Sequence, residues 1–416
     1  MTESFKIEKA RARLIFDSRG DATVEVELES AGRIARASSP AGKSKGKREV
    51  EYYPNNDAAE AVKLFNTTVA PRIVGLDPAD QKNFDLTLRE IDGTDRLEHI
   101  GGNTAFAASA AASILASMLK DTSTYSHIAE VSGSSPKIPM PLGNVLGGGA
   151  HAGEGAPDIQ EILVFPTGVK EPLEAIKTNI TIHKELGKLL TNLVKGFTKG
   201  KGDEGAYAPN MSNDDALEAV KKIVENTLKK GVKVKMGIDM AASNLYDQNT
   251  GKYIYKRSGI SRTREQQIEY VAEIVEHFNL GYVEDPLNED DLLGFAELTR
   301  QLGSRTLICG DDLLTTNAKH VREAAKHKAV NAMIIKPNQV GTLSDTFAAV
   351  KEAEKNNIVK VVSHRSGETC SGFLSHLAVG LGADLIKSGV VGGERIAKAN
   401  ELLRIWELGR LPLSNP

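Results

Sequence analysis

In the second half of the chain, apolar positions at helical spacing alternate with short apolar runs that end in a charged or titratable residue. Apolar positions over 216–228 share one face of a predicted helix, and Gly231 is typical of the residue that follows a helix end. Thr263, three residues before Gln266, indicates a capping box at the start of the next helix, 263–278. The apolar runs predict strands over 232–239, 281–285, 306–311, 331–336, 359–364 and 384–387.

Helices of this length between strands predict crossover connections, which make the strands of one sheet parallel. Several such units in succession predict the α/β class and a TIM-like β/α barrel. An open doubly wound sheet is the alternative architecture.

The first part of the chain has a different order, with predicted strands ahead of predicted helices. Strands over 12–16 and 23–28 flank a turn-rich Asp-Ser-Arg-Gly sequence, which predicts a hairpin. Helical patterns follow over 58–65 and through an alanine-rich segment. The segment 132–141 is dense in Ser, Gly and Pro, so we place a boundary there. The expected domains are an N-terminal α+β domain over 1–131 and the barrel over 132–416.

Composition narrows the class of protein. At 416 residues, the chain exceeds what one hydrophobic core usually serves, which favours two domains. It has 52 basic and 55 acidic residues, a net charge of −3, so we expect no nucleic-acid partner. The two cysteines, Cys309 and Cys370, favour a reducing cytoplasm, and the charged start does not resemble a signal peptide.

The segment 100–119 contains no charged residue and is nominally long enough to cross a bilayer. It consists mostly of Ala, Ser and Gly, which are weakly apolar. We therefore predict a buried helix and no membrane association.

The predicted strand ends carry the candidate chemistry: Asp239, Glu284, Asp311, Lys336, His364 and Lys387. In a β/α barrel these ends open on one face, where catalytic residues gather. The alternative is that they are polar residues capping the helices that follow. Three carboxylates on successive strands are suitable ligands for Mg²⁺. A lysine beside Mg²⁺ and a second lysine is expected to have a lowered pKa and to serve as a base. A base and a metal together suit removal of a weakly acidic proton beside a carboxylate, with the metal stabilising the enediolate.

Other signals are weaker by themselves. His151 lies in a glycine-rich segment, 143–155, which is typical of flexible loops and also of active-site lids. Glu204 stands between glycines, and Gln160-Glu161 precedes an apolar strand. The sequence GKS at 42–44 matches the end of a phosphate-binding P-loop. The segment lacks the glycine that begins a P-loop and the helix that follows one, which argues against a nucleoside triphosphatase.

Several short motifs follow one another in chain order: DSRG at 17–20, GGGAHAG, QE, GDEG, EDP at 284–286, GDDL, IKPNQVGTL at 335–343, SHRSGET at 363–369 and IKSG at 386–389. Together they resemble the enolase family, the glycolytic 2-phosphoglycerate dehydratases. The resemblance extends from about residue 11 to residue 408. It implies a small α+β domain capping an eight-stranded barrel whose second strand is antiparallel. It also implies reversible Mg²⁺-dependent dehydration of 2-phospho-D-glycerate to phosphoenolpyruvate.

The resemblance assigns roles to individual residues. Lys336 is implied to be the base at C2, and Glu204, with Glu161 beside it, the general acid for the C3 hydroxyl. His364 is implied to close around the substrate. The implied substrate-binding residues are His151, Gln160, Arg365, Ser366 and Lys387. Two Mg²⁺ ions are implied, with ligands Asp239, Glu284 and Asp311 for the first and Ser44 for the second.

The chain departs from the family in its closing loops. The usual loop reads PSGASTG, whereas 40–46 reads PAGKSKG, so that Ala41 replaces serine and two lysines are added. Lys43 and Lys45 either face solvent or turn inward, where they would attract the substrate's phosphate. The departures leave the implied ligands and acid–base groups intact.

Two other functions stay open. One is a related reaction, such as racemisation or loss of ammonia, on another acid; Arg365 and Ser366 argue against a substrate without phosphate. The other is a non-enzymatic paralogue. The resemblance implies a homodimer or higher homo-oligomer acting on a small phosphorylated substrate.

Overall fold

In the computed structural model, which describes residues 5–43 and 45–416, the chain begins with an antiparallel three-stranded sheet. Its strands are β1 (Lys9–Phe16), β2 (Ala22–Ser30) and β3 (Arg33–Ser38). The predicted hairpin joins β1 to β2, since Phe16 lies opposite Ala22. The sequence pattern did not predict β3, whose two arginines interrupt its apolar positions.

Within the described N-terminal residues there are five α-helices: α1 (Ala58–Leu64), α2 (Ala70–Ile73), α3 (Gln81–Asp92), α4 (Gly102–Leu119) and α5 (Thr124–Ser132). A π-helical turn over Phe65–Val69 separates α1 from α2. The alanine-rich segment forms α4, which packs on β2 and β3 because its small side chains allow close approach. Its length and composition alone would permit a membrane span, but 83% of it is buried inside the protein. It is a core helix, as predicted.

The remaining strands are β4 (Met140–Gly147), β5 (Glu161–Thr167), β6 (Lys233–Asp239), β7 (Tyr246–Asp247), β8 (Lys252–Tyr255), β9 (Ile260–Arg262), β10 (Leu280–Glu284), β11 (Leu307–Gly310), β12 (Ala332–Ile335), β13 (Val359–Ser363) and β14 (Leu385–Gly389). β7 to β9 form a small separate sheet. The other eight close into a barrel in chain order, with β14 beside β4. The predicted β/α barrel is confirmed, and the open doubly wound sheet is wrong.

Eight helices accompany the barrel: α6 (Pro172–Leu193), α7 (Asn213–Lys229), α8 (Arg264–Phe278), α9 (Leu292–Leu302), α10 (Ala318–Lys326), α11 (Leu343–Lys355), α12 (Phe373–Gly380) and α13 (Gly393–Gly409). The predicted capping box is present at the start of α8, where Thr263 and Gln266 exchange hydrogen bonds. Gly231 follows the end of α7 with a φ of +90°, a conformation that favours glycine. The local sequence signals therefore fix these helix ends.

The second barrel strand runs against its neighbours. β5 pairs antiparallel with both β4 and β6, whereas the other neighbouring pairs are parallel. The connection from β4 to β5 carries no long helix, so the chain returns as a hairpin, and α6 and α7 then connect β5 to β6. The first residue of β5, Glu161, consequently lies at the same rim as the last residues of the parallel strands. The reversal implied by the resemblance is confirmed.

The two parts of the chain share polar contacts at the start of α11. Asp85 of α3 accepts hydrogen bonds from the backbone nitrogen (2.8 Å) and hydroxyl (2.6 Å) of Ser344. Ser109 of α4 accepts one from the backbone nitrogen of Leu343 at 3.0 Å. Free backbone N–H groups at a helix start need such acceptors, so the N-terminal helices cap a barrel helix.

Candidate active site

The barrel rim gathers the predicted strand-end residues. Asp239 and Glu284 end β6 and β10, and the residues directly after β11, β12 and β13 are Asp311, Lys336 and His364. Lys387 differs from the prediction, because β14 continues past it to pair Gly389 with Asn144 of β4. Lys387 is therefore the third residue of its strand.

Lys387 is the centre of a buried ionic network. Its Nζ lies 2.7 Å from Glu284 Oε2, 2.9 Å from Asp239 Oδ2 and 3.2 Å from Glu161 Oε1. Burial alone would lower the pKa of Lys387, but the three carboxylates outweigh it and raise that pKa. Burial, assisted by Asp239, raises the pKa of Glu284 to about 7. The single ammonium group of Lys387 thus balances the charge of three carboxylates that have almost no contact with water.

Lys336 lies beside this network and pairs with Asp311. Its Nζ donates a short hydrogen bond to Asp311 Oδ2, and Gln339 Nε2 donates to the other oxygen at 2.9 Å. Burial lowers the pKa of Lys336, yet the attraction of Asp311 prevails and raises it above the usual lysine value. The lowering expected for a lysine beside Mg²⁺ stays a prediction, because the raised pKa here reflects the attraction of Asp311, which stabilises the ammonium form.

Glu161 and Glu204 form a buried carboxylate pair with His151. The Nδ1 atom of His151 lies 3.8 Å from Glu161 Oε1 and 3.6 Å from Glu204 Oε1. Asn144 donates to Glu204 Oε2 at 2.9 Å. Burial and the Glu204 charge raise the pKa of Glu161 well above its usual value. Burial also opposes ionisation of Glu204, but His364 and His151 lower its pKa. The pair therefore holds one proton more tightly than two separate carboxylates would.

His364 faces Glu204 through a defined ring nitrogen. Arg395 Nη1 lies 2.7 Å from His364 Nδ1, and because a guanidinium only donates, this nitrogen must be the acceptor. Burial lowers the pKa of His364 to about 4, so the ring is neutral and its hydrogen is on Nε2. That Nε2 lies 3.3 Å from Glu204 Oε2. Arg395 thereby sets the tautomer of His364.

Arg365 and Ser366 form a second polar group at the rim. Both Nη atoms of Arg365 contact the Glu49 carboxylate, at 3.1 and 3.2 Å, and Nη1 also donates to Asn338 Oδ1 at 3.0 Å. Ser366 Oγ accepts from Arg19 Nη1 at 3.2 Å. Arg19 belongs to the DSRG motif, so this motif connects the N-terminal domain to the loop after β13.

Residues 41 and 43 of the glycine-containing loop contact this group. Ala41 and Gly367 exchange two backbone hydrogen bonds of 2.9 Å. The backbone nitrogen of Lys43 donates to Ser366 Oγ at 2.8 Å, and its side chain lines the cleft. Lys45 instead pairs with Glu51 and lies over the ring of Tyr52. Ser44, the predicted ligand of a second metal, lies outside the described residues.

One cleft of about 490 Å³ brings most of these groups together. The predicted site residues that line it are His151, Gln160, Glu161, Glu204, Asp239, Asp311, Lys336, His364, Arg365, Ser366 and Lys387. Glu284 lies just beneath it, fully buried. Gln160 Nε2 lies 3.5 Å from Asp239 Oδ2. Every predicted site residue among those described is therefore at or directly under the cleft.

The carboxylates fit a hard cation. Glu284 Oε1 is buried and has no hydrogen-bond partner, although a buried carboxylate oxygen normally has one. Glu284 lies in register with Asp239 on the neighbouring strand, and the next strand leads to Asp311. Among the described residues, two groups bring three possible ligand atoms within 4.8 Å of one another: His151, Glu161 and Glu204, and Asp285, Asp311 and Asp312. Of the three predicted ligands, only Asp311 belongs to one of these groups. The region can hold a metal.

Several residues of the site were not assigned from the sequence. Asp285 accepts from the backbone nitrogens of Asp311 and Asp312, both at 2.9 Å, and so aligns two strand ends. Glu49 neutralises Arg365, and Arg395 orients His364. Asp285 and Asp312 stand in the EDP and GDDL motifs and could have been found there. Arg395 has no comparable signal, because it approaches from α13.

Fold and rim together define a β/α-barrel enzyme with a polar active-site cleft at the carboxyl ends of its parallel strands. Family models agree: "Enolase, N-terminal domain" matches residues 7–128 and "Enolase, C-terminal TIM barrel domain" matches 135–411. The chain is 46% identical over 402 residues to an enolase of Methanothermobacter thermautotrophicus, which covers 96% of both chains. An enolase of Archaeoglobus fulgidus is 44% identical over 406 residues, 97% of both chains. The chain belongs to the enolase family, a family of hydro-lyases.

Proposed function

We propose that this chain catalyses the reversible dehydration of 2-phospho-D-glycerate to phosphoenolpyruvate with Mg²⁺. The observation that carries the proposal is that a single cleft is lined by a lysine at one strand end, Lys336, and by the carboxylate pair Glu161–Glu204. Dehydration needs a base at one carbon and an acid at the next, and these groups supply both.

Lys336 is the proposed base. It takes the proton from C2, and the electron pair of that C–H bond moves into the substrate carboxylate, which leaves the negative charge on its oxygens. In the second step this electron pair returns to form the C2=C3 double bond while the C3–O bond breaks, and the hydroxyl leaves as water after receiving a proton. Glu204 is the proposed donor, and the raised pKa of Glu161 beside it keeps on the pair the proton that Glu204 passes to the hydroxyl. His364 and His151 are proposed to close around the substrate.

The proposed metal ligands are Asp239, Glu284 and Asp311, with Ser44 for a second ion. Bound Mg²⁺ supplies positive charge beside Asp311 and the substrate carboxylate, which lowers the pKa of Lys336 and stabilises negative charge on the substrate. Lys387 is proposed to help hold the substrate carboxylate, and Gln160 is proposed to bind the substrate beside it. Arg365 and Ser366 are proposed to bind the phosphate, because a guanidinium fork matches phosphate oxygens.

Two variants test the assignment of base and acid. In deuterated solvent, Lys336→Ala should stop exchange of the C2 proton. Glu204→Gln should keep that exchange while blocking loss of the hydroxyl, because it removes only the acid. Circular dichroism controls for folding. Equal loss of exchange in both folded variants would show that the two roles are not separate.

A coupled absorbance assay for phosphoenolpyruvate, with and without EDTA, tests the reaction itself. We expect activity that EDTA abolishes and Mg²⁺ restores. An intact protein that produces no phosphoenolpyruvate at millimolar Mg²⁺ would refute the proposed function.

We also propose the domain division 1–131 and 132–416, which is supported by the gap between the two family-model matches. A homodimer or larger homo-oligomer and activity in the cytoplasm are further proposals from the sequence. Light scattering after size-exclusion chromatography tests the oligomeric state.

A further inference from the structure

Lys43 is a cationic side chain in a loop position where the family pattern has alanine. Among the described residues that line the cleft, four are cationic, namely Lys43, Lys336, Arg365 and Lys387. Seven carry carboxylates, namely Glu49, Glu161, Glu204, Asp239, Asp285, Asp311 and Asp312. A substrate that bears a phosphate and a carboxylate adds further negative charge to this cleft. Each cationic side chain that can turn toward the substrate therefore reduces the electrostatic repulsion.

Three of the four cations are held by buried carboxylates. Lys336 pairs with Asp311, Arg365 has a two-point contact with Glu49, and Lys387 contacts three acids. Lys43 differs, because its side chain is 47% exposed and its Nζ lies 3.4 Å from Asp203 Oδ2. A partly exposed ion pair at this distance is weak, so Lys43 can exchange its partner at low cost.

The backbone of Lys43 is fixed beside the proposed phosphate site. Its nitrogen donates to Ser366 Oγ, and Ala41, two residues earlier, is hydrogen-bonded to Gly367 at both its nitrogen and its oxygen. The ammonium of a lysine stands at the end of a flexible four-carbon stem. From this position its ammonium can reach either Asp203 or an anion held by Arg365 and Ser366.

Asp203 is the partner that Lys43 would leave in order to contact an anion in the cleft. Its Oδ2 is buried and accepts no hydrogen bond, and the residue directly precedes Glu204. Its backbone oxygen accepts from Arg395 Nη2 at 3.1 Å, which fixes the main chain there. Asp203 therefore competes for Lys43 from a fixed position next to Glu204 in the chain.

We propose that Lys43 binds the phosphate of the substrate, leaving Asp203 when the substrate enters. This inference rests on the proposed function and adds a binding residue specific to this chain. Arg365 is already neutralised by Glu49, so the ammonium of Lys43 adds positive charge where a phosphate of charge near −2 lies.

The test compares Lys43→Met with Lys45→Met, which removes the same charge from the same loop but from a side chain that points to Glu51. Lys43→Met should raise KM for 2-phosphoglycerate roughly tenfold, as expected for loss of one charge-assisted hydrogen bond, with kcat within about twofold. Lys43→Arg should restore most of the affinity. Lys45→Met should leave KM within about twofold.

Asp203→Asn supplies the second readout. It removes the competitor, so it should lower KM roughly two- to threefold in the parent chain and have no effect in the Lys43→Met background. Equal KM values for Lys43→Met and the parent, or an equal effect of Asp203→Asn in both backgrounds, would overturn the inference. If the parent chain does not convert 2-phosphoglycerate, the proposed function fails instead, and the two failures are thus distinguished.

Discussion

Replacing Lys387 with methionine tests how much the buried ionic network depends on its single cation. Methionine nearly matches the lysine stem in length, so the change removes the charge and leaves little empty volume. The Glu161, Asp239 and Glu284 carboxylates would then face one another without a counter-ion. Breaking a buried ion pair by removing one partner costs about 3–5 kcal/mol.

The expected size of the effect follows from the chain length. With an unfolding entropy of roughly 2 cal/mol/K per residue, 416 residues give about 0.8 kcal/mol/K. The loss of about 3–5 kcal/mol then lowers Tm by roughly 4–6 °C. Lys230→Met is the control, because Lys230 pairs with Glu185 at 2.8 Å while 60% of its side chain is exposed. Such a surface pair contributes about 0–1 kcal/mol, so the control should shift Tm by about 1 °C or less.

Differential scanning fluorimetry in EDTA measures the Tm of both variants. A second scan in millimolar Mg²⁺ measures how much the cation raises each Tm. The unpaired carboxylates of Lys387→Met should attract the cation more strongly, so the Mg²⁺-induced rise in Tm should exceed that of the parent chain. If Lys387→Met in EDTA melts within 1 °C of Lys230→Met, the lysine does not balance the three carboxylates as argued.

Three other consequences can be measured directly. Asp311→Asn should abolish activity and reduce the Mg²⁺-induced rise in Tm; a rise as large as in the parent chain would remove Asp311 from the metal ligands. Gly205→Ala should reduce kcat at least tenfold and lower Tm, because Gly205 has a φ of +78° and an added Cβ would lie 2.3 Å from the backbone oxygen of Val391; steady-state kinetics at normal rate would contradict this. Burial lowers the pKa of His127 to about 4, so its contribution to stability is present above pH 6.5 and is lost as the pH falls through about 4. The free energy of unfolding of His127→Leu, measured by denaturant titration, should therefore fall less than that of the parent between pH 7 and 4, by on the order of 2–3 kcal/mol, and an identical acid profile in both would refute the argument.

The strand-end chemistry was predictable because a β/α unit fixes both the spacing and the direction of its strand. Asp239, Glu284 and Asp311 each stand where an apolar run stops, and the barrel then brings such ends to one rim. The capping box at Thr263 was predictable for a similar reason, because it depends only on residues three positions apart.

Features that depend on distant partners could not be predicted in this way. Periodicity does not distinguish an antiparallel strand such as β5 from a parallel one, and only the family resemblance implied the reversal. The extent of β14 beyond Lys387 is set by pairing with β4. The orientation of Lys43 and Lys45 depends on Asp203 and Glu51, and the raised pKa of Lys336 depends on Asp311.

The shared cap at the start of α11 implies that cutting the chain at the proposed domain boundary would destabilise the barrel half. A barrel fragment without Asp85 and Ser109 would have uncapped backbone N–H groups at residues 343 and 344. Because the N-terminal helices are synthesised first, they can act as a docking template for the emerging barrel. When the two halves are co-expressed, more soluble protein should therefore be recovered than when either half is expressed alone. A linker inserted near residue 135 should be tolerated. A circular permutation in which α11 is synthesised before α3 should slow folding.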